Sequence, residues 1–223
     1  MTMHSSEVPT KPFVPWNKGK VTGQKPPLKP REVWAIRVRL QVANRVRDLA
    51  LFNMAIDSKL RGCDLVHLRV EDVMQGDQVR TRALVSQRKT GAPVQFEITE
   101  QARLAVAAWV RGKSLKGSDW LFPSRVDKTK PMTTRQYGRL LDEWIAEIGL
   151  APSAYGTHSL RRTKAALIYR KTGNIRAVQL LLRTTTYRPQ SGRREERSAD
   201  LLSVSSAMRR NGGDRGASLL PKS

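Results

Sequence analysis

From residue 30 onward the apolar positions fall at helical spacing. Val33, Ile36 and Leu40 recur on one face while Arg37 and Arg39 fall elsewhere, and Pro30 suits the first turn of a helix. A second helix is predicted over about residues 45–59, with Leu49, Phe52 and Ile56 on its buried side. A short third helix should follow Gly62 and carry Leu65 and Leu68. The period then changes to two. Val79, Thr81, Ala83 and Val85 alternate with Arg80, Arg82, Leu84 and Ser86, and Val94, Phe96 and Ile98 alternate with Gln95 and Glu97. Gly91 and Pro93 lie between the two runs, which predicts a β-hairpin, with Val70–Val73 as a candidate third strand.

Helical spacing returns after Thr99, a suitable N-cap for a helix through Leu104, Val106 and Trp109. Thr133 and Gln136 form a capping-box pattern that opens a helix with Leu140, Leu141, Trp144 and Ile148. Two further helices are predicted over 159–171 and 175–182, separated by Gly173 as a C-terminal stop and Asn174 as a cap. No internal repeat is visible. The pattern predicts an α+β fold, mostly helical, with one small antiparallel sheet.

The ends of the chain have a different texture. Residues 1–29 read as a flexible arm, with Pro9, Pro12, Pro15, Pro26 and Pro27 breaking any helix and Lys11, Lys18, Lys20, Lys25 and Lys29 carrying charge. Such an arm either follows a phosphate backbone or is a solvated leader; the sequence leaves both open. Residues 183–223 lose the apolar stripe altogether. They hold nine Arg and Lys against four acids and read as a divergent, disordered basic tail. The domain between them spans 30–182.

Charge narrows the function. The 223 residues hold 41 Lys and Arg against 19 Asp and Glu, a net charge of +22, which favours a polyanionic partner, nucleic acid ahead of anionic membrane. No run approaches the roughly 18 apolar residues that a membrane span needs. The N-terminal text MTMHSSEVPTKPFVPW has no apolar signal core, so an intracellular protein is expected. One cysteine, Cys63, cannot form an internal disulfide, and three histidines make a Cys/His zinc site a poor expectation.

Particular residues then suggest chemistry. Arg61 stands at a helix–helix junction with Asp64 three residues on, an acid that can orient its guanidinium. His158 and Arg161 are three apart at a helix start, so both project to one side. Lys89 lies in the hairpin turn between them in sequence. Two arginines, a lysine and a histidine suit phosphoryl transfer without a metal. The arginines neutralise the non-bridging oxygens of a five-coordinate phosphorane, and the lysine or histidine handles the proton.

Arg-x-x-Asp at 61–64, the hairpin lysine at 89 and His-x-Leu-Arg-Arg at 158–162, in that order, resemble the tyrosine recombinases of the phage integrase family. The resemblance covers about residues 30–182, including Leu65-Val66-His67-Leu68-Arg69-Val70-Glu71-Asp72-Val73 after the first arginine. It implies that Arg61 and Arg161 clamp the scissile phosphate, that His158 hydrogen-bonds it, and that Lys89 is general acid to the 5′-oxygen. Asp64 would support Arg61. No metal, ATP or other cofactor would be needed. Each residue also has a plainer reading: Lys89 as a turn lysine, His158 as a helix-start residue, Asp64 as a surface charge. Arg162, Lys164 and Arg170 are assigned to DNA-backbone contacts or none, Cys63 to small buried filler, and Trp34, Trp109, Trp120 and Trp144 to the core.

Two departures from the family qualify this. The family ends with Leu-Gly-His and then a tyrosine that attacks the phosphate. Here Leu180-Leu181-Leu182 is followed by Arg183 and Thr184, and the tyrosine position near 193 is Arg193. Tyr187 comes too soon and is followed by Arg188-Pro189. A reading-frame shift is the first explanation of that change of text, and a divergent tail the second. The separate helical domain that family members carry ahead of the catalytic one has no counterpart in the arm.

The expected function is therefore a site-specific recombinase or integrase of a mobile element. It would bind double-stranded DNA for integration and recombination, be cleavage-deficient as it stands, and be cytoplasmic and nucleoid-associated. Other recombinase protomers are candidate partners. The alternatives are a non-catalytic DNA-binding protein on the same fold and, less well supported by the motifs, a basic packaging protein.

Overall fold

A computed structural model of the protein describes residues 23–174 and 176. Helix α1 (Pro30–Val42) starts at the proline, and the Lys29 amide before it donates to the Glu32 carboxylate at 2.8 Å, the reciprocal half of a capping box. There follow α2 (Val46–Ser58), the short turns α3 (Gly62–Leu65) and α4 (Val70–Val73), and hairpin strands β1 (Met74–Gln75) and β2 (Gln78–Val79). A second hairpin, β3 (Arg82–Ser86) and β4 (Pro93–Glu97), leads into α5 (Glu100–Lys113), α6 (Thr134–Glu147) and α7 (Thr157–Thr172).

Helix α2 is the centre of the core. Ala50, Leu51, Phe52, Met54, Ala55 and Ile56 are all buried, so the helix is covered all round rather than on the single stripe of Leu49, Phe52 and Ile56. It packs against α1, α5 and α7. The polar groups it buries are paired, as burial requires. Asn53 accepts from Arg37 Nε at 2.8 Å, and Asp57 accepts from the Thr99 amide and hydroxyl at 2.8 and 2.6 Å. Trp144 of α6 meets Phe52 edge-on, with ring centroids 5.6 Å apart. Both predicted threonine caps are present: Thr99 accepts from the Ala102 amide, and Thr133 pairs reciprocally with Gln136.

The structure corrects three expectations. Val70–Val73 is a helical turn and not a third strand, because the Asp72 carboxylate accepts from the Arg69 amide at 2.7 Å and caps the turn locally. The run from Val79 to Val85 is not one strand either. It breaks at Arg80 and Thr81, leaving two two-stranded antiparallel sheets, one pairing Met74 with Val79 and the other running from Arg82–Glu97 to Ser86–Pro93. Trp34 is 67% exposed on α1 and lies outside the core, and Leu104 is exposed on α5, whose buried face is Ala102, Ala105, Val106, Trp109 and Val110.

Packing also begins before α1. Leu28, placed in the arm by its sequence context, is buried, and its amide donates to the Thr163 hydroxyl at 3.1 Å. Lys25 Nζ donates to the Tyr155 carbonyl at 2.6 Å, and Arg162 donates to Gln24 Oε1 and to the Lys25 carbonyl. This stretch is strapped across the start of α7. Residues 1–22, the helix expected over 175–182 (Arg176 apart) and the tail with Tyr187 lie outside the described residues. Among the described residues no helix is long and apolar enough to cross a membrane.

A candidate phosphate-binding site

The chain leaves α2 through a tight bend. Lys59 takes a left-handed conformation (φ 53°), Leu60 is buried, and Arg61 has extended backbone just before α3. Gly62 then sits close to its neighbours. A Cβ there would meet the Tyr137 ring at 3.4 Å and Thr157 at 3.9 Å, so α3 begins against α6 and against the first residue of α7. That approach brings the first residue of α7 close to the residue after Arg61, and the Arg61 charge acts on Arg161 one turn further along α7.

Arg61 is held on the other side by the hairpin. Its Nη1 donates to Gln87 Oε1 at 2.5 Å, and Gln87 Oε1 also accepts from the Thr90 hydroxyl at 3.0 Å. Asp64 is 4.0 Å from Arg61 Nη1, too far for a hydrogen bond but close enough for charge balance. Its Oδ1 accepts from the Arg88 amide at 3.0 Å, while Oδ2 is buried with no hydrogen-bond partner among the described residues. With its side chain 2% exposed, Asp64 is not a surface charge. It ties α3 to the turn that carries Lys89.

Arg161 is half-buried on α7. Its pKa is lowered, first by burial and then by the positive charge of Arg61, with Asp64 opposing. The charge of Arg61 thus reaches Arg161, and the Asp64 carboxylate acts on both, lying 4.0 Å from Arg61. The net positive field is suited to an anion, and the planar forks suit a phosphate.

Lys59 adds to that field. Burial, and then the charges of Lys164 and Arg161, push its pKa down to about 8, against the pull of Asp57 and Glu97. Lys164 itself lies 3.3 Å from Asp57 and Arg162 is bound to the strap, so both are occupied within the fold. Cys63 is half-buried, with its thiol 3.8 Å from Asp64 Oδ1.

The remaining two residues face solvent. Lys89 is exposed on the turn at 88–90, and His158 is exposed in the first turn of α7, one helical turn from Arg161. Neither makes a hydrogen bond or ion pair among the described residues. The structure thus gathers Arg61, Asp64 and Arg161 and fastens the turn of Lys89 to them. Sequence reasoning missed Gln87 and Lys59. Gln87 had a readable signal, because Ala83, Val85 and Gln87 continue the inward-facing alternation of β3, and a polar residue in that register needs a partner.

Residues 28–183 match the phage integrase family. The chain belongs to that family. Within the matched segment of this phage integrase family member lie all five candidate residues, and the match ends at Arg183, where the sequence changes character. The probable integrase/recombinase YoeC of Bacillus subtilis (strain 168) is 32% identical over 136 residues, covering 61% of this chain and 70% of YoeC. The XerA recombinase structure aligns with a TM-score of 0.59 at 18% identity, over 95% of this chain and 70% of XerA. Lambda integrase bound to DNA aligns with a TM-score of 0.54 at 16% identity, over 77% of this chain and 61% of that one. The mostly helical architecture with small antiparallel sheets is that of tyrosine recombinase catalytic domains.

Proposed function

We propose that this chain is a site-specific recombinase or integrase domain that binds duplex DNA and holds the phosphate to be broken between Arg61 and Arg161. The observation that carries the reading is that Arg61, just before α3, and Arg161, on α7, lie near enough for their charges to act on each other, with the buried Asp64 carboxylate acting on both. Like charges are costly to hold together, and a bound phosphate removes that cost. Family membership supplies the reaction class, and the solved lambda integrase that shares the fold was captured on DNA.

In such a reaction an incoming oxygen bonds to phosphorus as the bond to the 5′-oxygen breaks. Arg61 spends one of its five donors on Gln87 and keeps the others for the non-bridging oxygens. Arg161 approaches from α7, and His158 at the positive end of that 16-residue helix donates a further hydrogen bond. Lys89, on a turn fixed by Asp64 and Gln87, delivers the proton that the departing 5′-oxygen takes up. These roles need no metal ligand from the chain.

The binding half of this chemistry is better furnished than the cutting half. Arg183, Thr184 and Arg193 stand where the family has glycine, histidine and the nucleophilic tyrosine. We therefore read the chain as one that binds and polarises a phosphate but does not cleave alone, and that acts on DNA at the nucleoid, alone or with intact protomers. Equilibrium binding to a short fluorescent duplex tests the first half. With ~6–10 phosphate contacts, affinity should fall by roughly three to five decades between about 50 and 200 mM salt. A flat response would remove the electrostatic reading.

A further inference from the structure

Gln87 occupies a core position. It follows β3 in the inward register of Ala83 and Val85 and is 4% exposed. Its backbone closes the turn at both atoms: the amide donates to the Ala92 carbonyl at 2.9 Å, and the carbonyl accepts from Gly91 at 2.7 Å. A leucine there would fill the space without the cost of burying an amide. The amide is warranted by its partners. Arg61 Nη1 and Thr90 Oγ1 both donate to Oε1, and because a guanidinium has no acceptor, the atom facing Arg61 has to be the oxygen.

We propose that Gln87 is a positioning residue of the phosphate site, fixing the Arg61 guanidinium in its receiving orientation and linking it through Thr90 to the turn that carries Lys89. The inference rests on the reading that Arg61 binds phosphate. Among the described residues Gln87 is the side chain that hydrogen-bonds this guanidinium, since Asp64 is 4.0 Å away. A neutral acceptor is the right chemistry for the task. A carboxylate at the same place would orient Arg61 equally well but cancel its charge and compete with the phosphate. Asp64, farther off, balances charge and anchors the Arg88 amide without capping the guanidinium. Phosphate arm and proton-donor arm are thereby held by one side chain.

The test uses the full chain and a double-mutant cycle on duplex binding, together with arginine side-chain ¹⁵N NMR. Gln87→Leu should weaken binding roughly tenfold, the scale of one hydrogen bond to a charged group, and should have no further effect when Arg61→Ala is already present. The Arg61 Nη–H signal, slowed in exchange by its acceptor, should be lost in Gln87→Leu. Gln87→Glu, which keeps an acceptor, should retain that signal and still weaken binding; this split is one that a merely structural residue would not produce, and it holds if the leucine variant folds poorly. Additive effects in the cycle, or an Arg61 signal unchanged by Gln87→Leu, would overturn the inference while leaving the phosphate reading intact. If Arg61→Ala itself leaves binding unchanged, the phosphate reading fails and the inference goes with it.

Discussion

The Asp64 carboxylate accepts a hydrogen bond from the Arg88 amide at 3.0 Å, tying the turn after Arg61 to a hairpin 24 residues further along the chain. The bond is more direct than the 4.0 Å approach of Asp64 to Arg61 itself. Removing the acceptor strands a backbone N–H, so Asp64→Ala should cost about 1–3 kcal/mol. Asp64→Asn keeps an acceptor and should cost clearly less. Urea melts of the two variants decide it: equal losses would mean that the charge, and not the bond to the turn, is what Asp64 supplies.

Lys59 gives the stability a particular pH dependence. Its ordinary pKa of 10.5 falls to about 8 in the fold, chiefly through burial. Between those values the unfolded chain binds the proton and the folded chain does not, so stability rises with pH across that window. The gain is on the order of 2 kcal/mol after solvent screening is allowed for. Burial of Tyr137 pushes its pKa up, so above its ordinary value of 10 the slope turns downward. Lys59→Met keeps the side-chain length and the left-handed backbone but removes the amine. Denaturant melts from about pH 7 to 10 should show a rise for the parent chain and a flatter profile for that variant.

Periodicity was a good guide wherever one face of an element meets the core. Val33, Ile36 and Leu40, the Val94–Phe96 alternation and the Thr133–Gln136 cap all stand as their spacing predicts. It misled where a local side-chain bond outweighs pattern, as at Asp72, and where a short run was divided, as at Arg80 and Thr81. Trp34 misled because size and apolarity alone do not say which face of a helix is covered. At the site, Arg61 and Arg161 were legible as ordered motifs, yet their approach depends on Gly62 packing against Tyr137 and Thr157, contacts that no local pattern encodes. Gln87 joins Arg61 across 26 residues, which likewise only the fold reveals.

Strand cleavage by this chain alone should fail. Transesterification needs a nucleophile nearly in line with the leaving oxygen, and an error of about 1 Å can cost on the order of a hundredfold. Tyr187 follows Leu182 closely and is followed by Pro189, which does not fit a helix interior. A library of nicked suicide duplexes, run on a denaturing gel, should yield no covalent protein–DNA band. A band lost on Tyr187→Phe would show that the tail supplies the nucleophile, and a band appearing only with an intact family member would show catalysis in trans.

The most direct test of the central claim compares three arginines in one salt titration of duplex binding. Arg61 and Arg161 are the two arginines proposed to hold the phosphate, whereas Arg162, adjacent in sequence to Arg161, is bound to Gln24 and the Lys25 carbonyl. Arg61→Ala and Arg161→Ala should each lower the slope of log affinity against log salt by about one, the loss of one phosphate contact. Arg162→Ala should leave that slope unchanged. An equal loss of slope in all three variants, or none in Arg61→Ala and Arg161→Ala, would contradict the two-arginine phosphate site.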